Sequence, residues 1–182
     1  DGNLSTVKLT VTEGTLAVAL GDSGATIDGG VNNTETLTLS GNSTQINNAL
    51  STLTYKAKPN FNGTDTLTIL STDANDATDT DTVNIAVASV NDAPVNTVPV
   101  AQSVNEDTVL AIAGVSVADV DGNLSTVKLT VTEGTLAVVL GDSGATIGSG
   151  GNNTETLTLS GNVTQINSAL STLTYKANLN FN

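Results

Sequence analysis

The chain has 182 residues, 38% of them apolar, a formal net charge of −13, and two Tyr and two Phe as its only aromatics. It contains no Cys, His, Met, Trp or Arg, which removes disulfide scaffolds and thiolate zinc sites and the commonest general base. The acidic balance argues against nucleic-acid partners, whose phosphates need Lys and Arg, and suits hard cations or solubility through self-repulsion.

Taken in order, the chain is dominated by period-two alternation, the pattern of half-buried strands. Val7, Leu9 and Val11 alternate with Lys8, Thr10 and Thr12 in STVKLTVTEG, and Leu16, Val18 and Leu20 follow in TLAVAL. Leu37 and Leu39 alternate in ETLTLSG. Next, GNSTQINNALSTL breaks the rhythm: Ile46, Leu50 and Leu53 recur at helical spacing and Asn42 to Thr44 offer an N-cap, so one short helical segment is predicted here. Alternation resumes in LTYKA, DTLTIL, TVNIAV, VPVAQSV and VLAIAGVSV. The turn signals EGT, GDSG, DGG, SGN, NFNG and DANDATD separate the runs. Seven or eight short strands per 120 residues predict an all-β fold, an antiparallel two-sheet β-sandwich in tandem with one short helical turn per repeat. No apolar run is long enough to span a bilayer as a helix.

Residues 1–62 and 121–182 align at an offset of 120 and differ at only eight positions (19, 28, 29, 31, 43, 48, 58 and 59). A period of 120 is the size of a domain, not of a solenoid repeat. The Pro-containing, polar stretch ASVNDAPVN reads as the joint between units. Residues 1–90 are then a repeat without its N-terminal strands, and residues 91–182 a repeat without its C-terminal strands.

Ten of the 18 acids lie between Lys58 and Lys128, where no basic residue occurs. They include Asp73 and Asp76 in STDAND, Asn91-Asp92 at the joint, Glu106-Asp107 in NED, and Asp119 and Asp121 in DVDGN. Alternate loops of a sandwich gather at one end, and gathered carboxylates repel one another unless a cation sits among them. Ca²⁺ takes six to eight oxygen ligands, so it is the expected ion. The competing reading is a set of solvated turns, because Asp is a good turn former. DVDGN departs from the EF-hand loop, with no third acid or Glu at the required spacing.

The joint SVNDAPV, the ED and DVDG pairs, the QIN-AL-TLTY segment and the stretch FNGTDTLTI together resemble the cadherin-like, immunoglobulin-like tandem repeats of large bacterial surface adhesins of the RTX type. That resemblance implies an extracellular location at a bacterial cell surface, with Ca²⁺ at the linkers. By analogy it assigns calcium roles to Asn91, Asp92, Glu106, Asp119 and Asp121, with Asp73, Asp76 and Asp107 beside them. It implies a structural extender of an adhesin, stiffened by Ca²⁺ and serving cell adhesion and biofilm contacts. Its partners would be neighbouring repeats of the same chain and, through other domains, a surface ligand, with no nucleic acid and no membrane insertion. The alternative is a module that binds carbohydrate or protein.

Two motifs suggest other chemistry. Gly21-Asp22-Ser23-Gly24 and its copy at 141–144 match the surroundings of a protease nucleophile, yet without His the serine lacks an imidazole base. Thr-x-Thr pairs such as Thr36/Thr38 are ordinary solvent-face strand residues. No enzyme activity is expected.

Overall fold

The structure, a computed structural model, describes residues 4–181. The chain divides into two compact units, Asp1–Val90 and Asn91–Asn182, and the architecture is all-β with two short helices.

Unit 1 contains β1 (Leu4–Thr10), β2 (Gly14–Ala17), β3 (Thr26–Gly30), β4 (Thr36–Ser40), α1 (Ser43–Leu50), β5 (Thr54–Ala57), β6 (Gly63–Asp73) and β7 (Thr78–Val87). Five strands form one sheet in the order β3-β4-β1-β6-β7, and β2 pairs with β5 in a second. Both sheets and α1 feed one core of Val7, Leu9, Val11, Leu16, Val18, Leu37, Leu39, Ile46, Ala49 and Leu67. The alternating residues thus face inward as the period predicts, and each fully buried Leu contributes about 2 kcal/mol.

The helix is set by its cap. Asn42 Oδ1 accepts from the Gln45 N–H at 3.0 Å, and Gln45 Oε1 accepts from the Asn42 N–H at 2.9 Å, closing a capping box. Ile46 and Ala49 point into the core.

Unit 2 contains β8 (Val95–Thr97), β9 (Val109–Ala111), β10 (Ser116–Ala118), β11 (Thr126–Thr130), β12 (Gly134–Ala137), β13 (Thr146–Gly150), β14 (Thr156–Ser160), α2 (Val163–Leu170) and β15 (Thr174–Ala177). Its sheets run β11-β14-β13, β12-β15-β9 and β10-β8. The repeated part keeps its registers: Leu9↔Leu37 of unit 1 returns as Leu129↔Leu157.

Two local expectations change. Asp28-Gly29-Gly30, read as a turn, belongs to β3, where the register shifts between Ile27 and Gly29 against β4. A bulge lets such residues stay in a ladder, and a Cβ on Gly30 (φ +73°) would stand 2.0 Å from the Thr36 carbonyl oxygen. The run VPVAQSV is not a strand: β8 ends at Thr97, and Val98 and Val100 are exposed.

Candidate functional site

The most unusual side chain of the molecule is Asp65, the one buried charged residue among the described residues, 1% exposed. It lies on β6 in the same inward register as Leu67 and Ile69, so strand geometry forces its carboxylate under the sheet. There Oδ1 accepts from the Thr12 N–H (3.1 Å), the Thr12 hydroxyl (3.0 Å) and the Thr66 N–H (2.8 Å). Oδ2 accepts from the Glu13 N–H at 2.9 Å, and the Tyr55 hydroxyl lies 3.1 Å from it and 3.2 Å from the Glu13 carbonyl.

Burial pushes the Asp65 carboxyl upward, but the N–H groups of Thr12, Glu13 and Thr66 and the Thr12 hydroxyl outweigh it and bring the pKa down to about 2. Tyr55 responds in the opposite sense: burial, and then its bond to Asp65, raises the phenol. Gly14 makes room for the Tyr55 ring, since a Cβ there would stand 2.2 Å from Cε2. Lys58 closes the rim, donating to the Thr12 carbonyl and pairing with Glu35 at 2.9 Å and Glu13 at 3.7 Å. Its bond to Glu35 is the main reason its pKa is raised.

The socket is a rigid carboxylate clamp that ties the β1–β2 turn to β6. Asp65 is absent from the sequence-derived site residues. The signal that finds it is its parity: a lone acid at an inward position of an alternating strand.

The acids singled out from the sequence occupy turns. In unit 1, half-buried Asp73 ends β6, and its Oδ1 accepts from the N–H groups of Asn75 (2.8 Å) and Ala77 (2.9 Å). Asp76 is exposed with φ +66° in the same β6–β7 turn. In unit 2, Asp107 has φ +61° beside Glu106 in an exposed turn where the Thr108 hydroxyl donates to the Asn105 carbonyl.

The remaining four converge within unit 2. Asp92 donates its N–H to Asp121 Oδ2 at 2.6 Å, and Asp121 donates its own to Asp119 Oδ1 at 3.0 Å. Asn123 Nδ2 donates to Asn91 Oδ1 at 2.7 Å. Hydrogen bonds therefore latch segment 91–92 onto the DVDGN loop, while Asp73, Asp76, Glu106 and Asp107 take no part in that latch. Among the described residues no group of three or more acidic side chains stands close enough to hold a metal ready-made.

The GDSG sequence forms a tight turn in which the Ser23 N–H donates to the Leu20 carbonyl and Ser23 Oγ accepts from the Ala25 N–H. Its copy repeats both bonds at Ser143. Among the described residues, no helix is long and apolar enough to cross a membrane.

A family model described as the Protein GAMETE EXPRESSED 2 domain matches residues 4–83, from the start of β1 into β7. No curated protein and no solved structure matches the chain. The match overturns the resemblance to bacterial RTX-type adhesin repeats, because the family model that residues 4–83 resemble describes a domain of a gamete-expressed protein. The adhesin-extender function falls with it, together with its biofilm associations, and the match gives no support to the carbohydrate- or protein-binding alternative. In the structure FNGTDTLTI runs into β6 and NDAPV leads into β8, so both motifs report strand and turn chemistry, which does not by itself identify a family.

Proposed function

We propose that the chain is a non-enzymatic pair of β-sandwich modules, with unit 1 akin to the gamete expressed 2 domain, and that unit 1 carries mechanical tension. One observation supports this above all. β6 lies between β1 and β7 and is antiparallel to each, so β1 and β7 run in the same direction. The start of β1 and the end of β7 therefore sit at opposite ends of the sheet. Force applied there loads the ladders in shear, across ten residue pairs from Gly63↔Val87 to Thr72↔Thr78, and not one bond at a time. The Asp65 clamp adds cross-links between the β1–β2 turn and β6.

Single-molecule stretching of the whole chain tests this. Unit 1 should resist and then release in one discrete step, adding about 30 nm of chain, as its 90 residues at roughly 3.4 Å each require. Smooth extension without a step would refute the reading.

Ca²⁺ is proposed as a ligand of segments 91–92 and 119–123, where the carboxylates of Asp92, Asp119 and Asp121 and the amide oxygens of Asn91 and Asn123 are of the kind that Ca²⁺ takes. The ion would have to be recruited by rotation of these side chains. Millimolar CaCl₂ added after EDTA should raise the melting temperature of unit 2; an unmoved transition removes the ion from the account.

A further inference from the structure

Seven Asn-x-Ser/Thr triplets occur in the chain, at Asn3, Asn32, Asn42, Asn62, Asn123, Asn152 and Asn162. Such a triplet is the acceptor pattern for an N-linked oligosaccharide, and alone it is weak, because Asn and Ser are ordinary turn residues. The folded chain separates the seven by what each carboxamide already does. Asn3 lies outside the described residues.

Asn32 and Asn152 are committed. Asn32 Oδ1 accepts from the Val18 N–H and its Nδ2 donates to the Val18 carbonyl, both at 2.9 Å. Asn152 repeats the pair on Val138 at 2.8 and 2.9 Å. A two-point bond to one residue uses the Nδ2 hydrogen on the same side as Oδ1. A substituted amide is planar and prefers trans, which places an incoming sugar at that same hydrogen. A glycan would therefore pull either side chain off its backbone partner. Asn123 Nδ2 is spent on Asn91 Oδ1 at 2.7 Å. At Asn42 and Asn162, Oδ1 caps a helix and fixes the side chain against its first turn.

Asn62 differs from all of these. It stands in the β5–β6 turn, where the Phe61 N–H donates to the Lys58 carbonyl and Asn60 takes φ +61°. Asn62 and Thr64 are both exposed, and among the described residues the Asn62 carboxamide has no hydrogen-bond partner. A Cβ on the intervening Gly63 would meet only the Phe61 ring, at 3.7 Å, so the space around the acceptor is open. The equivalent turn of unit 2, residues 178–181, is exposed as well, although β9 pairs with the strand before it. Exposure therefore belongs to the turn itself.

We propose that Asn62 carries an N-linked oligosaccharide. The donor class is a lipid-linked diphospho-oligosaccharide. Nδ2 bonds to the anomeric carbon, the bond from that carbon to the diphosphate oxygen breaks, the lipid diphosphate leaves with the electron pair, and Nδ2 gives up one proton. Thr64 supplies the hydroxyl residue that the acceptor pattern requires. The family model that residues 4–83 match is of a eukaryotic protein, which provides for the transferring enzyme. The proposal rests on that match and is independent of the mechanical reading of unit 1.

The test takes the intact chain from the cells that make it and releases N-glycans enzymatically in heavy-oxygen water. Release turns a glycosylated Asn into a heavy-labelled Asp, which mass spectrometry of the peptides locates. Asn62 should carry the label, and Asn32, Asn123 and Asn152 should not. Label at Asn32 or Asn152 overturns the selection by side-chain bonding, and an unlabelled Asn62 overturns the proposal. A second arm secretes the whole chain from a eukaryotic host. There Asn62→Gln and Thr64→Ala should each lose the same single glycan, and Thr64→Ser should keep it. A bare Asn62 in the host-secreted parent chain rejects the turn as an acceptor. A glycan in the host but none on the native chain overturns the proposal through the chain's source, and leaves the stretching experiment on unit 1 to be decided by itself.

Discussion

Asp65 is the residue whose chemistry departs furthest from a surface acid. A buried carboxylate is tolerated only when its lone pairs are filled, and here three N–H groups and two hydroxyls fill them. Its folded pKa of about 2 lies below the ordinary 3.8. A depressed acid pKa contributes stability that is fully present above the unfolded value and lost as pH falls through the folded one. Unit 1 should therefore weaken between roughly pH 4 and pH 2. Asp65→Asn keeps the shape, loses the charge and turns an amide NH₂ toward donors; it should cost about 3 kcal/mol at pH 7 and flatten the acid limb of the melting-temperature profile. A variant whose profile runs parallel to that of the parent chain would show that Asp65 does not supply this pH dependence. Sequence parity alone places this residue inward with Leu67 and Ile69. Its partners are not legible, because Thr12, Glu13 and Tyr55 reach it only through non-local pairing.

At the scale of elements, alternation is legible where one face is apolar and the other polar, as in β1, β4, β5 and β6. The helix is legible through Asn42 and the Ile46 spacing, and its copy repeats the same capping box at Asn162 and Gln165. β3 is not, since TIDGG carries one apolar side chain and two glycines, and only the ladder to β4 makes it a strand. VPVAQSV misleads in the other direction: Val98 and Val100 alternate yet stay exposed, and only Val104 is half-buried, which is tertiary context overriding pattern. Side chains also stand in for ladder partners beyond the reach of sequence rules. Asn32 accepts from the Val18 N–H and donates to the Val18 carbonyl, both at 2.9 Å, and Asn167 does the same for Val117 at 2.8 Å. The DVDGN loop is legible as acidic, while its latch to Asn91 and Asp92 depends on a chain reversal spanning some 30 residues.

Across the whole chain, the two copies form a natural experiment in which sequence is held constant and partners vary. α2 is covered in unit 2, where β10 packs against it and Leu170 and Leu173 are buried. The equivalent Leu50 and Leu53 in unit 1 are only partly buried. The strand on the other side reverses the inequality, because β6 covers β1 whereas, among the described residues, β11 pairs only with β14. Intrinsic amide exchange depends on neighbouring residues, which are the same in STVKLT at 5–10 and 125–130, so any difference in protection reports partners alone. In the intact chain, the amides of Thr6, Lys8 and Thr10 should exchange with the slow opening of a doubly paired central strand. Those of Thr126, Lys128 and Thr130 should exchange at least a hundredfold faster. Val127 and Leu129, bonded toward β14, should remain slow and so exclude general fraying as the cause. Hydrogen exchange resolved by residue would read this alternation directly. Uniform protection along both strands would mean that β11 already has a second partner in solution, and uniform exposure along 126–130 would mean that β14 does not hold it.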